Sequence, residues 1–210
     1  MNKPVEDIEW HREMLKQVLL RIAYVPDDAI TAFVNLFSLK VYRKKSIIIA
    51  PNNTHLKGYF ISDGLIRMYY IKNNKEITED FRGTHSFFLN GYTQFAKMPN
   101  FDYFVALEPT TCLEIDWNEL EEILGKYHSL EHLGRRVIEL HYAESMRVSY
   151  NSLFLSVEER YRIFLREKGT LVNKVSLKHI ASYLGISQET LSRLRAKLKQ
   201  PIDEKRNNRY

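Results

Sequence analysis

The chain has 210 residues, 44% of them apolar, and 31 Lys and Arg against 26 Asp and Glu give a formal charge of +5. That length suffices for a substantial core and leaves room for a main domain plus a smaller one. No run approaches the roughly 18 apolar residues of a membrane span, and the polar start MNKPVEDIEWHREM lacks an apolar signal core, so a cytoplasmic protein without membrane contact is expected.

In chain order, Val5 to Ala23 shows helical spacing through Ile8, Leu15, Val18, Leu19 and Ile22, and Val25-Pro26 breaks it. A second short helix follows Asp27. Beyond Leu39 the period shortens. Val41-Tyr-Arg, Ile47-Ile-Ile-Ala, Tyr59-Phe-Ile, Leu65 to Ile71 and Glu76 to Phe81 are β-prone runs, separated by Asn52-Asn53, Asp63-Gly64 and Asn73-Asn74. The last two pairs suit tight hairpins. Tyr103 to Leu107 and Thr111 to Ile115 bring the total to about seven or eight short strands, which suits an antiparallel barrel or jelly roll. Cys112, the single cysteine, reads as a small core or strand residue, and it excludes a disulfide or a cysteine-bound zinc or cluster within one chain.

Asp116 with Glu119 forms a capping-box pattern that opens a helix. From about Ser129 to Tyr150 a long stripe runs through Leu130, Leu133, Val137, Leu140, Met146 and Tyr150, interrupted by His141 and Glu144. Such a stripe either packs on the barrel or faces a symmetry mate, and the second option is favoured here. Ser156 with Glu159 is a fresh capping box, which places a hinge near Asn151 to Leu155. The expected fold is therefore α+β. An effector or sensor domain over 1–150, an antiparallel β-barrel or jelly roll with flanking helices, includes a dimerisation helix at about 129–150. A helix-turn-helix domain with a reduced wing covers 151–210.

Ser176 to Leu198 reads SLKHIASYLGISQETLSRLRAKL. Ile180, Leu184, Leu191, Leu194 and Leu198 fall where two short helices would each bury one face, and Ala181 is small where they would cross. Gly185 sits at the bend, where a positive φ is often required, and Ile186 plugs the corner. Ser187 is a good N-cap for the second helix. On the face opposite the leucines stand Gln188, Glu189, Ser192 and Arg193, the candidate base-reading residues. Arg193 can fork onto guanine O6 and N7, and Glu189 can accept from cytosine N4. From Val157 to Tyr210 there are 13 Lys and Arg against 6 Asp and Glu, so the positive excess lies at this end. Ser187, Thr190, Lys174, Lys178, Arg195, Lys197 and Lys199 are candidate contacts to the DNA backbone. The same residues read blandly are a dipole-complementing glutamate and solvated surface charges; agreement between buried frame and polar face favours double-stranded DNA as the partner.

The order of barrel, long helix and helix-turn-helix resembles the Crp/Fnr superfamily of bacterial transcription regulators. YFISDGLIRMYY looks like its barrel hairpin around Asp63-Gly64, and Ser187 to Arg193, SQETLSR, is similar to its recognition-helix segment. That resemblance implies a homodimeric, sequence-specific DNA-binding regulator of transcription. Glu189, Ser192 and Arg193 would read an inverted repeat of TTGA-like half-sites, and RNA polymerase is a further candidate partner. Gln188 falls where the cyclic AMP receptor has a cationic side chain.

Several departures limit what carries over. The family's Gly-Glu pair and its Arg followed by Ser or Thr, which clamp a cyclic phosphate, would fall between about His85 and Ala106, and no arginine occurs between Arg82 and Arg135. Cyclic AMP dependence is not expected. The N-terminal cysteines of iron-sulfur members are missing too, so no cofactor is expected. Phe87, Phe88, Tyr92, Phe95, Phe101, Tyr103 and Phe104 either line an effector pocket for an unknown small molecule or form ordinary core. His128 and His132 lie one turn apart without further metal ligands nearby, and read as surface histidines. After Leu198 only KQPIDEKRNNRY follows, too polar for a full wing; Lys205, Arg206 and Arg209 would add nonspecific DNA affinity. No nucleophile with a spaced base, glycine-rich phosphate loop or metal motif suggests an enzyme. The alternative is a ligand-binding sensor acting through protein contacts without specific DNA binding.

Overall fold

A computed structural model describes residues 7–54 and 56–199, the side chains of Tyr92 and Lys199 apart. The chain separates into two compact units, Met1–Tyr150 and Asn151–Tyr210.

The first unit opens with α1 (Ile8–Leu20), capped by the Asp7 carboxylate, and α2 (Asp27–Asn35), entered through Pro26. Eight strands follow: β1 (Ser38–Tyr42), β2 (Ile47–Ile49), β3 (Lys57–Asp63), β4 (Leu65–Lys72), β5 (Lys75–Gly83), β6 (Phe87–Leu89), β7 (Tyr103–Ala106) and β8 (Thr110–Asp116). They pair antiparallel in two four-stranded sheets, β1-β8-β3-β6 and β2-β7-β4-β5. Between β6 and β7 lies the short helix α3 (Gly91–Phe95), and α4 (Trp117–Lys126) and α5 (His128–Phe154) follow β8.

The inner strands of the first sheet, β3 and β8, are buried on both faces, which suits the apolar run Tyr59 to Ile61 of β3. Ile61 and Cys112 face the second sheet beside Ile66 and Phe104. Phe60, Leu113 and Ile115 face the other way and pack with α1, α2, Ile123 of α4, and Leu130 and Leu133 of α5. Cys112 is thus the small strand residue expected, fully buried in β8. Glu114, also buried, accepts from the Tyr42 hydroxyl and from Lys57 Nζ at 3.1 Å.

The turns divide. Asn73 and Asn74, with φ of 50° and 59°, close the β4–β5 hairpin, and both positive values match the tight turn expected there. Asp63-Gly64 is not a hairpin, because β3 and β4 belong to different sheets. It is a corner. Gly64 takes φ +119°, and a Cβ there would lie 2.5 Å from Thr110 Oγ1, so only glycine lets the chain turn from one sheet into the other.

Two further expectations are corrected. The Asp116 side chain makes no capping bond to α4, since its residue is still the last rung of β8, paired with Lys57. The stretch 151–155, expected as a hinge, is helical to Phe154 because Asn151 to Phe154 holds no proline or glycine. Strand β6 and helix α3 lie in an aromatic stretch for which the sequence carries no element assignment.

The second unit holds α6 (Val157–Lys168), a 3₁₀ turn (Gly169–Leu171), α7 (Leu177–Leu184) and α8 (Gln188–Lys199). Ser156 and Glu159 form the capping box at α6 with both bonds made. Tyr161, Phe164, Val175, Ile180, Ala181, Leu184 and Leu191 are its buried apolar residues. Any wing lies outside the described residues.

Candidate nucleic-acid interface and the barrel cavity

The site in the second unit is built by one left-handed residue. Gly185 adopts φ +70°, and its N–H and that of Ile186 close on the carbonyls of Ala181 and Ser182, ending α7. Ser187 then restarts the chain as a helix, its Oγ accepting from the Thr190 N–H at 3.1 Å. The Thr190 hydroxyl lies 3.1 Å from the same oxygen.

Leu191 is fully buried and pins α8 against α7, whose buried residues are Ile180, Ala181 and Leu184. With that face anchored, Gln188, Glu189, Ser192 and Arg193 all fall on the exposed side. The Ser187 hydroxyl hydrogen-bonds the Glu189 carboxylate, and with the Glu189 backbone N–H and nearby Arg193 it holds that carboxyl below its usual range. Glu189 therefore stays an ionised acceptor at neutral pH.

Around this face the candidate backbone contacts differ. Ser187, Thr190, Lys174 and Lys178 are exposed, and Arg195 is half-buried. Lys197 is exposed but its Nζ lies 2.9 Å from Glu158 Oε2 in the first turn of α6. The Lys199 side chain and residues 200–210, with Lys205, Arg206 and Arg209, lie outside the described residues.

In the first unit, α4 and α5 lean on the barrel over a cavity of about 680 Å³. Phe87 and Phe88 line it. Phe101 and Tyr103 do not: Phe101 faces solvent, and Tyr103 stacks on Tyr69 at 5.0 Å on the opposite face of the sheet from Phe104. Strand alternation puts Phe104, not its neighbour, at the cavity. The Tyr92 side chain lies outside the described residues.

The polar groups here escaped sequence reasoning. Glu79, Arg82, Asp102 and His141 join the lining. Arg82 is engaged, 2.7 Å from Asp80 and 2.8 Å from Glu144 of α5. Glu79 is the extra residue of a bulge, since Met68 pairs with Asp80 and Tyr69 with Thr78. Only the pairing register reveals that, and no pattern in β5 announces it.

Helix α5 splits its stripe. Leu130, Leu133 and Val137 pack into the core, whereas Leu140, Met146 and Tyr150 are 51%, 57% and 58% exposed, as are Tyr142 and Phe154 at similar or higher levels. No helix among the described residues is long and apolar enough to cross a membrane.

A two-sheet antiparallel barrel, a long helix after its last strand and a helix-turn-helix together define the fold of the Crp/Fnr regulators. The sequence matches no family model and no curated protein, whereas solved structures of that fold match most of it. A CooA variant from Carboxydothermus hydrogenoformans is 19% identical, covering 80% of this chain and 78% of its own with a TM-score of 0.65. The c-di-GMP responsive global regulator CLP of Xanthomonas campestris is 16% identical, with 82% and 91% covered and a TM-score of 0.63. A transcriptional regulator of the Crp/Fnr family from Eubacterium rectale is 15% identical, with 83% of each chain covered and a TM-score of 0.64. Those neighbours are transcription regulators; the chain shares their architecture.

Proposed function

We propose that the chain is a cytoplasmic, homodimeric, sequence-specific DNA-binding regulator of transcription, without enzymatic activity and independent of cyclic AMP. The observation that carries this reading is the exposure of Gln188, Glu189, Ser192 and Arg193 together on α8, opposite the buried Leu191. One such helix from each subunit enters successive major grooves, with Arg193 on guanine and Glu189 on cytosine N4. Ser187, Thr190, Lys174, Lys178, Arg195, Lys197 and Lys199 hold the phosphates. Residues 1–150 serve as the effector unit and 151–210 as the DNA-binding unit.

Dimerisation is supported by the apolar residues that α5 leaves uncovered after Val137. Half-sites about one helical turn apart then follow from two-fold symmetry. The operator implied by the Glu, Ser and Arg combination is an inverted TTGA-like repeat, and RNA polymerase is the downstream partner.

The test is fluorescence anisotropy of labelled duplexes, one with an inverted TTGA repeat and one scrambled. Tighter binding to the repeat, by at least about 10³-fold at physiological salt, is expected. Equal affinity for both would overturn it and leave a sensor that works through protein contacts.

A further inference from the structure

The barrel cavity is lined by two carboxyl groups, Asp102 and Glu79. Asp102 lines it, is 8% exposed, and its carboxylate has neither a hydrogen-bond nor an ionic partner among the described residues. Burial raises the Asp102 carboxyl above its ordinary value, because a buried charge without a partner is costly unless something arrives to match it. Glu79, an exposed residue of β5 carried at the bulge, lines the same cavity, and its carboxyl feels the charge of Asp102. The nearest cation, Arg82, is already held by Asp80 and Glu144.

Most of the rest of the wall is aromatic and aliphatic, with Asn90, His141 and Ser145 among it. Phe88 lies between Tyr59 and Phe104, with ring centroids 4.5 Å and 5.5 Å away, and Phe95 meets Trp117 edge to face at 5.8 Å. Trp117 Nε1 is buried with no acceptor among the described residues. A volume of about 680 Å³ is far larger than a packing defect and within the range of small-molecule sites.

We propose that this cavity binds a hydrophobic organic cation, an aromatic amine or quaternary ammonium, with its charge between Asp102 and Glu79 and its body against the rings of Phe88, Phe104 and Trp117. Aromatic faces attract such cations and carboxylates pair with them. An oxygen acceptor on the ligand would satisfy Trp117 Nε1. Anionic ligands, cyclic nucleotides included, meet two carboxylates and no unengaged arginine. A bare divalent ion fits poorly, as no group of three metal-ligating side chains exists among the described residues.

Glu79 also gives the site a pH dependence. Burial, then Asp102 and Asp80, raise its carboxyl to about 7, opposed by Arg82. The charged or titratable groups around it are Asp80 and Arg82 on its own strand, Asp102 before β7, and His141 and Glu144 on α5. His141 is held below its ordinary value by burial and by Arg82, opposed by Glu144 and Asp80. A cation binds the ionised carboxylate, so affinity rises as pH passes upward through about 7.

This inference rests on reading residues 1–150 as the effector unit, but its test needs no DNA. The full chain is titrated with berberine, a fluorescent aromatic quaternary ammonium, and in parallel with the anionic dye anilinonaphthalene sulfonate. One saturable berberine site is expected, tightening between about pH 6 and 8 and weakened about tenfold or more in Asp102→Asn and in Glu79→Gln at the upper pH. Matching circular dichroism spectra show that both variants fold. No saturable berberine binding, displacement of berberine by an equally tight anionic dye, or unchanged affinity in both folded variants would overturn it. Any of these would leave DNA recognition by α8 standing, and loss of DNA recognition would leave dye binding standing.

Discussion

Lys197 of α8 and Glu158 of α6 form an ion pair of 2.9 Å across the second unit, and the same carboxylate also holds Arg162. The contact ties the C-terminal half of the reading helix to the first turn of α6. It also occupies a lysine that faces solvent beside the proposed DNA surface, so a phosphate must compete with Glu158 for it. Exposed pairs of this kind are weak, and a phosphate diester wins at low salt.

Binding should therefore respond in opposite directions to the two partners. Lys197→Ala is expected to weaken binding to every duplex and to flatten the dependence of log affinity on log salt by about one per lysine removed. Glu158→Gln is expected to strengthen binding to specific and scrambled duplexes alike. Anisotropy titrations at several KCl concentrations check both.

Arg193→Ala should act differently from Lys197→Ala. A side chain that forks onto one guanine carries discrimination of about 1–3 kcal/mol at that base pair, so its removal relaxes one position of the operator and leaves the others. Competition with single-base variants of the site reads this directly. Equal losses on all sequences would reassign Arg193 to the phosphates.

The two left-handed glycines separate strain from steric clash. A Cβ at Gly185 meets nothing within 4 Å, so Gly185→Ala should cost only the backbone term of about 1–2 kcal/mol. At Gly64 the added carbon falls 2.5–2.8 Å from Thr110, backbone included, on top of an unfavourable φ. Gly64→Ala should destabilise the first unit more than Gly185→Ala does the second. Urea unfolding of each variant provides the comparison.

Stability should carry the signature of Glu79. Its carboxyl is raised in the folded chain to about 7 from the ordinary 4.5, so the folded state holds more protons than the unfolded state between those values. Stability from this group is full below about 4.5 and is lost as pH rises through about 7. Glu79→Gln should thus raise the melting temperature near pH 8 and lose that advantage toward pH 4.5. Its side chain also reaches solvent, so the effect is a matter of direction.

Much of this molecule is legible in its residues because the signals are local. The αL bend at Gly185, the cap at Ser187 and the spacing of Ile180, Leu184 and Leu191 lie within a dozen positions of one another, and each acts on its neighbours. Strands are nearly as readable, since branched and aromatic runs between turn residues mark them. Partnership between strands is not local. Asp63-Gly64 has the composition of a hairpin, and only Thr110, far along the chain, makes it a corner between sheets. Phe87 to Leu89 give no strand signal because a three-residue strand has too few positions to show alternation. The acidic pair in the cavity is harder still: Glu79 depends on a bulge set by β4, and Asp102 on the burial of a segment that looks like an ordinary turn.

Helix α5 offers the last separation. Leu130 and Leu133 are core, so their truncation would unfold the barrel, but Met146 is 57% exposed. Met146→Glu should leave the first unit folded and turn the proposed dimer into monomers with a matching loss of operator affinity. Sedimentation velocity of the wild type and the variant decides it.

The central claim, that α8 reads base edges through Glu189 and Arg193, is tested most directly by selecting bound fragments from a random duplex library with the wild-type chain and with Arg193→Ala. Enrichment of an inverted TTGA-like repeat, its half-sites one helical turn apart and one position relaxed in the variant, is the predicted result. Recovery of unenriched sequence by the wild type would contradict it.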